Sequence, residues 1–132
     1  MVWACQAQGS SAIARALQEP FSASDPFGPP RASKTVADSI AVDVPRNGLH
    51  ALGKLRRYGG QAVIVSDSEI LAAQKMLSAG SGLFAEPSSS AAFAGWLKVR
   101  DRVPAGENCV LLITGSGLKD IKAAARALGL ET

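Results

Sequence analysis

QAVIVSDSEILAAQKMLSAG, residues 61–80, holds a strand-to-helix unit within twenty residues. Val63, Ile64 and Val65 are β-branched and suit a strand, where a branched side chain packs well on a pleated surface. Ser66 and Glu69 stand at capping-box spacing, so a helix is predicted to start between them. Ile70, Ala73, Gln74 and Leu77 then fall on one side of that helix. A strand followed at once by an amphipathic helix is the building unit of α/β folds.

The same alternation continues outward. Upstream, RNGLHALGKLRRYGG (46–60) follows Pro45 and is predicted to be a helix that stops at Gly59-Gly60. KTVADSIAVDVP (34–45) alternates weakly and predicts at most a short strand near Ile40–Val44. Residues 19–33 carry Pro20, Pro26, Pro29 and Pro30 among Ser, Gly and Asp, and read as a loop. The chain opens on an apolar run, Val2–Cys5, predicted to be a strand already at its start. Gly9 and Ser10 then turn it into a helix with Ile13, Ala14 and Leu17 on one face.

Downstream, SGLFAEP (81–87) is a short apolar run, and Pro87 opens the Ala-rich helix SSSAAFAGWLKVRDRV. After the turn AGEN, Cys109–Ile113 are predicted to be a buried strand and Leu118–Leu128 the last helix. The predicted fold is therefore a single α/β domain over 1–132, a layered, mostly parallel sheet flanked by helices.

Composition agrees with this reading. Apolar residues make up 47% of the 132 and aromatics 5%, so the core is built from Ala, Val, Leu and Ile. The net charge of +3 is scattered, its densest cluster being Lys54, Arg56 and Arg57. That cluster lacks the broad basic stripe and interleaved aromatics of a nucleic-acid reader, so no nucleic-acid partner is expected. Cys5 and Cys109 form no CxxC and have only His50 beside them in the sequence inventory, so no metal site is expected. Both cysteines are predicted to be small buried residues of a reduced compartment. No stretch approaches the ~20 apolar residues of a membrane span and no signal peptide opens the chain. Neither a membrane partner nor export is expected, and the predicted location is cytoplasmic.

NCVLLITGSGLKD (108–120) ends its apolar run in Thr-Gly-Ser-Gly. In open α/β sheets ligands bind at the carboxyl ends of strands, so Thr114 and Gly115 are candidate ligand contacts. The turn lacks the third glycine of G-x-G-x-x-G, because Asp120 stands there, and it lacks the G-K-[ST] of a P-loop. Glu86 stands just before a proline-started helix, where a carboxylate favours the positive helix end. Ser88, Ser89 and Ser90 are equally open as caps or ligand hydroxyls. His50 falls on an amphipathic helix and reads as a surface residue. The sequence contains no nucleophile-plus-base pair, so no catalytic residue is assigned.

SGLFAEPSSSAAFAGWLKVRD followed by VLLITGSGLKD resembles the C-terminal part of the threonine synthases, among the fold-type-II pyridoxal-phosphate enzymes. KTVADSIAVDVPRNGLHALGKLRRYGGQAVIVSDSEILAAQKML and ACQAQGSSAIARAL resemble that family's segments in the same order. The resemblance implies pyridoxal phosphate as the cofactor of the intact family. It implies a lyase of amino-acid biosynthesis that converts the amino-acid phosphate O-phosphohomoserine to threonine and phosphate. It also implies residue roles. Thr114 would hydrogen-bond the pyridine nitrogen, and Gly115 would let the backbone approach the ring. Glu86 and Ser88 would lie near the pocket wall, and Ala37–Ala41 near the ring face.

The family's cofactor-bearing lysine lies in a Ser-Phe-Lys-Asp-like segment, and its phosphate grip in an Asn- and Gly-rich loop. The sequence contains neither, and Gln8 replaces the Glu of the family's Gln-Ala-Glu-Gly-like turn. Lys34, Lys54, Lys75, Lys98, Lys119 and Lys122 all belong to other parts of the match. The chain is therefore expected to act as a C-terminal fragment or truncated part of such an enzyme, inactive alone and not retaining the cofactor alone. Its expected partner is the missing N-terminal half or a second copy. The alternatives are a part of a threonine or serine dehydratase relative, which shares the Glu-Pro-Ser element, and a non-catalytic α/β binding module.

Overall fold

The computed structural model describes residues 1–130. Strands β1 (Trp3–Ala7) and β2 (Gln61–Val65) pair in parallel, with Trp3 opposite Gln61 and Ala7 opposite Val65. These two make up the sheet among the described residues. Parallel pairing needs a long crossover. Here it is made by α1 (Ala12–Gln18), the proline-rich loop and α2 (Gly48–Arg57).

β2 runs straight into α3 (Asp67–Ser81) through the capping box read from the sequence. The Ser66 N–H donates to Glu69 Oε2 at 2.7 Å, and the Glu69 N–H donates to Ser66 Oγ at 3.2 Å. The helix ends at Gly82, whose φ of 75° is the left-handed value that glycine adopts without strain. α4 (Pro87–Val99) has proline in its first turn, where the missing N–H would be unpaired in any case. It packs on both strands and along α3, while α1 packs on β2 and α2.

Small residues set the spacing of these layers. Ala7, Ala37, Ala73, Ala91 and Ala94 form one buried cluster with Val65 and Ile70. Val36, Ile40, Phe93 and Leu97 pack against it. At Gly95 a Cβ would run into Cys5 Sγ and lie 2.9 Å from Val63 Cγ1, so α4 meets the sheet backbone-close.

Lys98 joins α4 to the start of α3. Its Nζ lies 3.0 Å from Glu69 Oε1 and donates to the Ile64 carbonyl at 3.0 Å. The Ser66 N–H first, and then Lys98, hold the Glu69 carboxyl below its ordinary value of 4.5. A depressed carboxylate pKa gives stability that is present above the unfolded value and is lost as pH falls through the folded one. Acidification from pH 4.5 downward should therefore lower the unfolding temperature, and Glu69→Gln should flatten that slope in thermal melts taken across the window. An unchanged slope would remove Glu69 from the acid response.

The structure corrects three expectations. Residues 40–44 form no strand. A 3-10 turn spans Asp38–Ile40, and Ser10 Oγ accepts from the Val42 N–H at 3.0 Å and lies 3.2 Å from the Ile40 carbonyl. A buried serine thus serves backbone groups that a neighbouring strand would otherwise pair. Cys109–Ile113 are not a buried strand either. They have no backbone–backbone hydrogen bond among the described residues, and Val110 is 81% and Leu112 73% exposed. Hydrophobicity marks a segment that wants to be covered, but a strand exists only beside another strand. The cysteines are not both buried. Cys5 is half-buried and Cys109 exposed. Burial first, then the neighbouring Cys109, pushes the Cys5 thiol up, so it stays protonated.

The last helix, α5, covers Ile121–Ala127 after a 3-10 turn at Gly117–Asp120. Among the described residues no helix is long and apolar enough to cross a membrane. Among the described residues no group of three or more His, Cys, Asp or Glu could hold a metal ion.

Candidate functional site

Two short segments meet at the start of α4. The Glu86 N–H donates to the Gly115 carbonyl at 3.0 Å, and the Gly117 N–H donates to the Phe84 carbonyl at 2.7 Å. They form one antiparallel bridge, Ala85 with Ser116. Ser89, on the first turn of α4, adds the second clamp. Its Oγ accepts from the Gly115 N–H at 2.7 Å and from the Thr114 N–H at 3.2 Å. The apolar run 109–113 therefore has no lateral partner, yet its end is pinned firmly to a helix N-terminus.

The close approach depends on glycine. A Cβ at Gly115 would collide with the Glu86 carboxylate, and one at Gly117 would sit 2.7 Å from the Phe84 ring. Glu86 is buried at 7% exposure and holds the position before Pro87, yet its side chain makes no capping hydrogen bond. Instead Oε2 takes the Ser39 hydroxyl at 3.4 Å and the Lys119 ammonium at 3.5 Å. Lys119 also reaches Ser39 Oγ at 3.3 Å. A buried carboxylate needs such partners, since desolvation penalises its charged form. Gln74 closes the back, donating from Nε2 to the Ala85 carbonyl at 2.7 Å.

A cleft of about 120 Å³ lies over this arrangement, lined by Asp38, Ser39, Glu86, Ser88, Lys119 and Asp120 among others. A wider hollow of about 310 Å³ opens beside Gln8, Gly9, Lys34 and Asp67, at the carboxyl ends of β1 and β2. The Asp67 carboxylate there is already taken by the Thr35 hydroxyl and the Val36 N–H. The narrower cleft holds the richer chemistry: a buried carboxylate, an ammonium, serine hydroxyls and the adjacent threonine.

Of the residues singled out in the sequence, Glu86 and Gly115 meet directly, and Thr114 joins them through Ser89. Ser88 is half-buried and lines the cleft. Ala37 is fully buried, and its neighbours Val36, Asp38 and Ser39 face the cleft. His50 is exposed on α2, as expected for a surface residue. Ser89 and Ser39 did not stand out. Three consecutive serines look alike in sequence, and the hydrogen bonds of Ser89 Oγ show which one faces Thr114. Ser90 is completely buried, with a hydroxyl that finds no partner among the described residues.

The sequence pattern of the pyridoxal-phosphate dependent enzymes matches residues 1–115. A threonine synthase of Synechocystis sp. is 42% identical over 101 residues, which is 76% of this chain and 26% of that protein. The threonine synthase of Methanocaldococcus jannaschii is 36% identical over 124 residues, 92% of this chain and 30% of that protein. That of Methanosarcina acetivorans is 41% identical over 117 residues, 87% of this chain and 28% of that protein. The chain thus spans between a quarter and a third of the length of these relatives.

Proposed function

The chain belongs to the pyridoxal-phosphate dependent enzyme family, and from that premise we propose that it forms one wall of the cofactor site of a threonine-synthase-like lyase and is inactive alone. The reaction is the conversion of O-phosphohomoserine to threonine and phosphate, a cytoplasmic step of amino-acid biosynthesis. The observation that carries the reading is the clamp of Thr114 and Gly115 onto Ser89 and Glu86. It presents the Thr114 hydroxyl at one pinned edge. The threonine synthase relatives named above support this reading.

The residues present fit the cofactor at its ring edge. Thr114 would offer a hydroxyl to the ring nitrogen, with Gly115 beside it, and Ser88 and Glu86 would stand in the wall next to it. When bound, the cofactor withdraws electrons from the substrate's carbon framework. Thr114, as a neutral partner, does not hold a proton on the ring nitrogen in the way a carboxylate does. Lys119 is held to Glu86 and Ser39, which keeps the buried carboxylate neutralised and the wall in place. The described residues bring no asparagine- and glycine-rich grip for the cofactor phosphate and no Ser-Phe-Lys-Asp-like segment. Those parts are assigned to a partner, the complementary portion of the fold, meeting the uncovered run Cys109–Ile113.

The test is phosphate release from O-phosphohomoserine. The chain alone is expected to release none. Combined with a threonine synthase relative lacking its own matching quarter, it is expected to restore turnover that Thr114→Val reduces by about 10²-fold or more. A mixture in which both parts associate and yet release no phosphate would overturn the assignment.

A further inference from the structure

We propose that the partner contributes one β-strand that slots between β1 and the run Cys109–Ile113, parallel to both. Three features of the sheet carry this beyond the partner assignment above, on which it rests. The first is an open edge. The Gln61 N–H donates to the Val2 carbonyl at 2.9 Å, which sets the phase of the parallel ladder. Ala4 and Gln6 therefore turn their backbone groups to β2. Trp3, Cys5 and the Ala7 N–H turn theirs to the other side, where no backbone–backbone hydrogen bond meets them among the described residues.

The second feature is direction. Trp3 lies under the Arg102 guanidinium, just past the carboxyl end of α4, at 5.8 Å. Cys5 meets Gly95 further along α4, and Ala7 joins Ala91 and Ala94 in the core cluster. β1 thus runs from the carboxyl end of α4 towards its amino end. The run 109–113 follows the chain leaving that same carboxyl end and finishes at Ser89, so it is parallel to β1. The third feature is separation. Burial first, then Cys109, pushes the Cys5 thiol up, which places the run within electrostatic reach of β1. Yet no ladder bond joins the two. Bonded strands stand about 4.8 Å apart, so the run lies further off than that, and one inserted strand would pair with both.

The sheet also sets the chemistry of the occupant. Cys5 faces α4, while the Gln6 side chain accepts from the Ala14 N–H of α1 at 2.8 Å, so helices cover both faces of β1. A strand entering beside β1 is buried on both faces and is apolar throughout, without the polar alternation of a half-exposed strand. The chain spans between a quarter and a third of the matched relatives, and the strand comes from the rest of such a protein. Inserted parallel to β1, it ends on the side of Thr114, so the residues that follow it meet the cleft edge.

The test is amide exchange read residue by residue, in the chain alone and in the mixture with a threonine synthase relative lacking its own matching quarter. In the chain alone, Trp3, Cys5 and Ala7 should exchange about tenfold or more faster than Ala4 and Gln6, which are bonded to β2. In the mixture that alternation should vanish, because the inserted strand protects the open edge as well. Association that leaves the alternation in place, or no association, would overturn the proposal. Phosphate release with the alternation intact would keep the cofactor reading and remove the inserted strand. Loss of the alternation without phosphate release would do the reverse.

Discussion

Replacing Val110 and Leu112 together by glutamate is expected to leave the unfolding temperature unchanged while weakening association through this segment by about two to four orders of magnitude. Both side chains already stand in solvent, at 81% and 73% exposure, so the fold loses no packing when they change. Their burial by a partner would contribute roughly 1.5–3 kcal/mol each, and a carboxylate in either place would have to be desolvated instead. Leu111 and Ile113, half-buried, point the other way, which is the two-residue period of a strand. The backbone groups between them have no backbone partner among the described residues, so an added strand would find a complete ladder to pair with. Sedimentation velocity over a concentration series, beside thermal melts of parent and double variant, reads both halves of the expectation. Equal association of the two proteins would place the interface elsewhere.

Ile70→Ala is expected to cost about 2–5 kcal/mol of folding stability, a hundredfold or more in the folding constant at the middle of that range. Ile70 is completely buried on the first turn of α3, in the cluster that joins Ala7 and Val65 at the strand ends to Ala91 and Ala94 of α4. The surrounding alanines are short and cannot reach into the space the isoleucine would vacate. A chain of this size with a two-stranded sheet has little stability to spare. Because the same packing orients α4, the clamp of Ser89 onto Thr114 and Gly115 should loosen with it. Denaturant titration measures the stability loss, and amide exchange at Gly115 reports the clamp. A loss below about 1 kcal/mol would show that the core can collapse around the site.

Where a structural rule is local, the sequence carried it. Ser66 and Glu69 announced α3, Pro87 announced α4, and Gly59-Gly60 marked the end of α2, because caps and breakers act within one helical turn. Cys109–Ile113 went astray because strand formation depends on a neighbour that the segment's own residues do not encode. Ile40–Val44 went astray because Ser10, thirty residues away, satisfies that backbone. The site was legible to the same degree. Thr114, Gly115 and Glu86 stood out by type and position; the structure joins Glu86 to Gly115 across the bridge and ties Thr114 and Gly115 to Ser89. Ser89 was hidden between two identical neighbours, and its role lies in the distances to two N–H groups and one hydroxyl. The resemblance to the family rested on neither kind of rule but on the joint presence of Glu-Pro-Ser and Thr-Gly-Ser-Gly-Leu-Lys-Asp, and membership is shown by the match over residues 1–115.

The most direct test of the account is to titrate the purified chain with pyridoxal phosphate, reduce with borohydride and measure the intact mass. The account assigns the ring wall to this chain and the cofactor-bearing lysine to its complement. It therefore predicts only scattered, substoichiometric labelling that does not respond to Thr114→Ala. A single stoichiometric adduct whose formation weakens in Thr114→Ala would contradict it, because one of the chain's own lysines would then carry the cofactor.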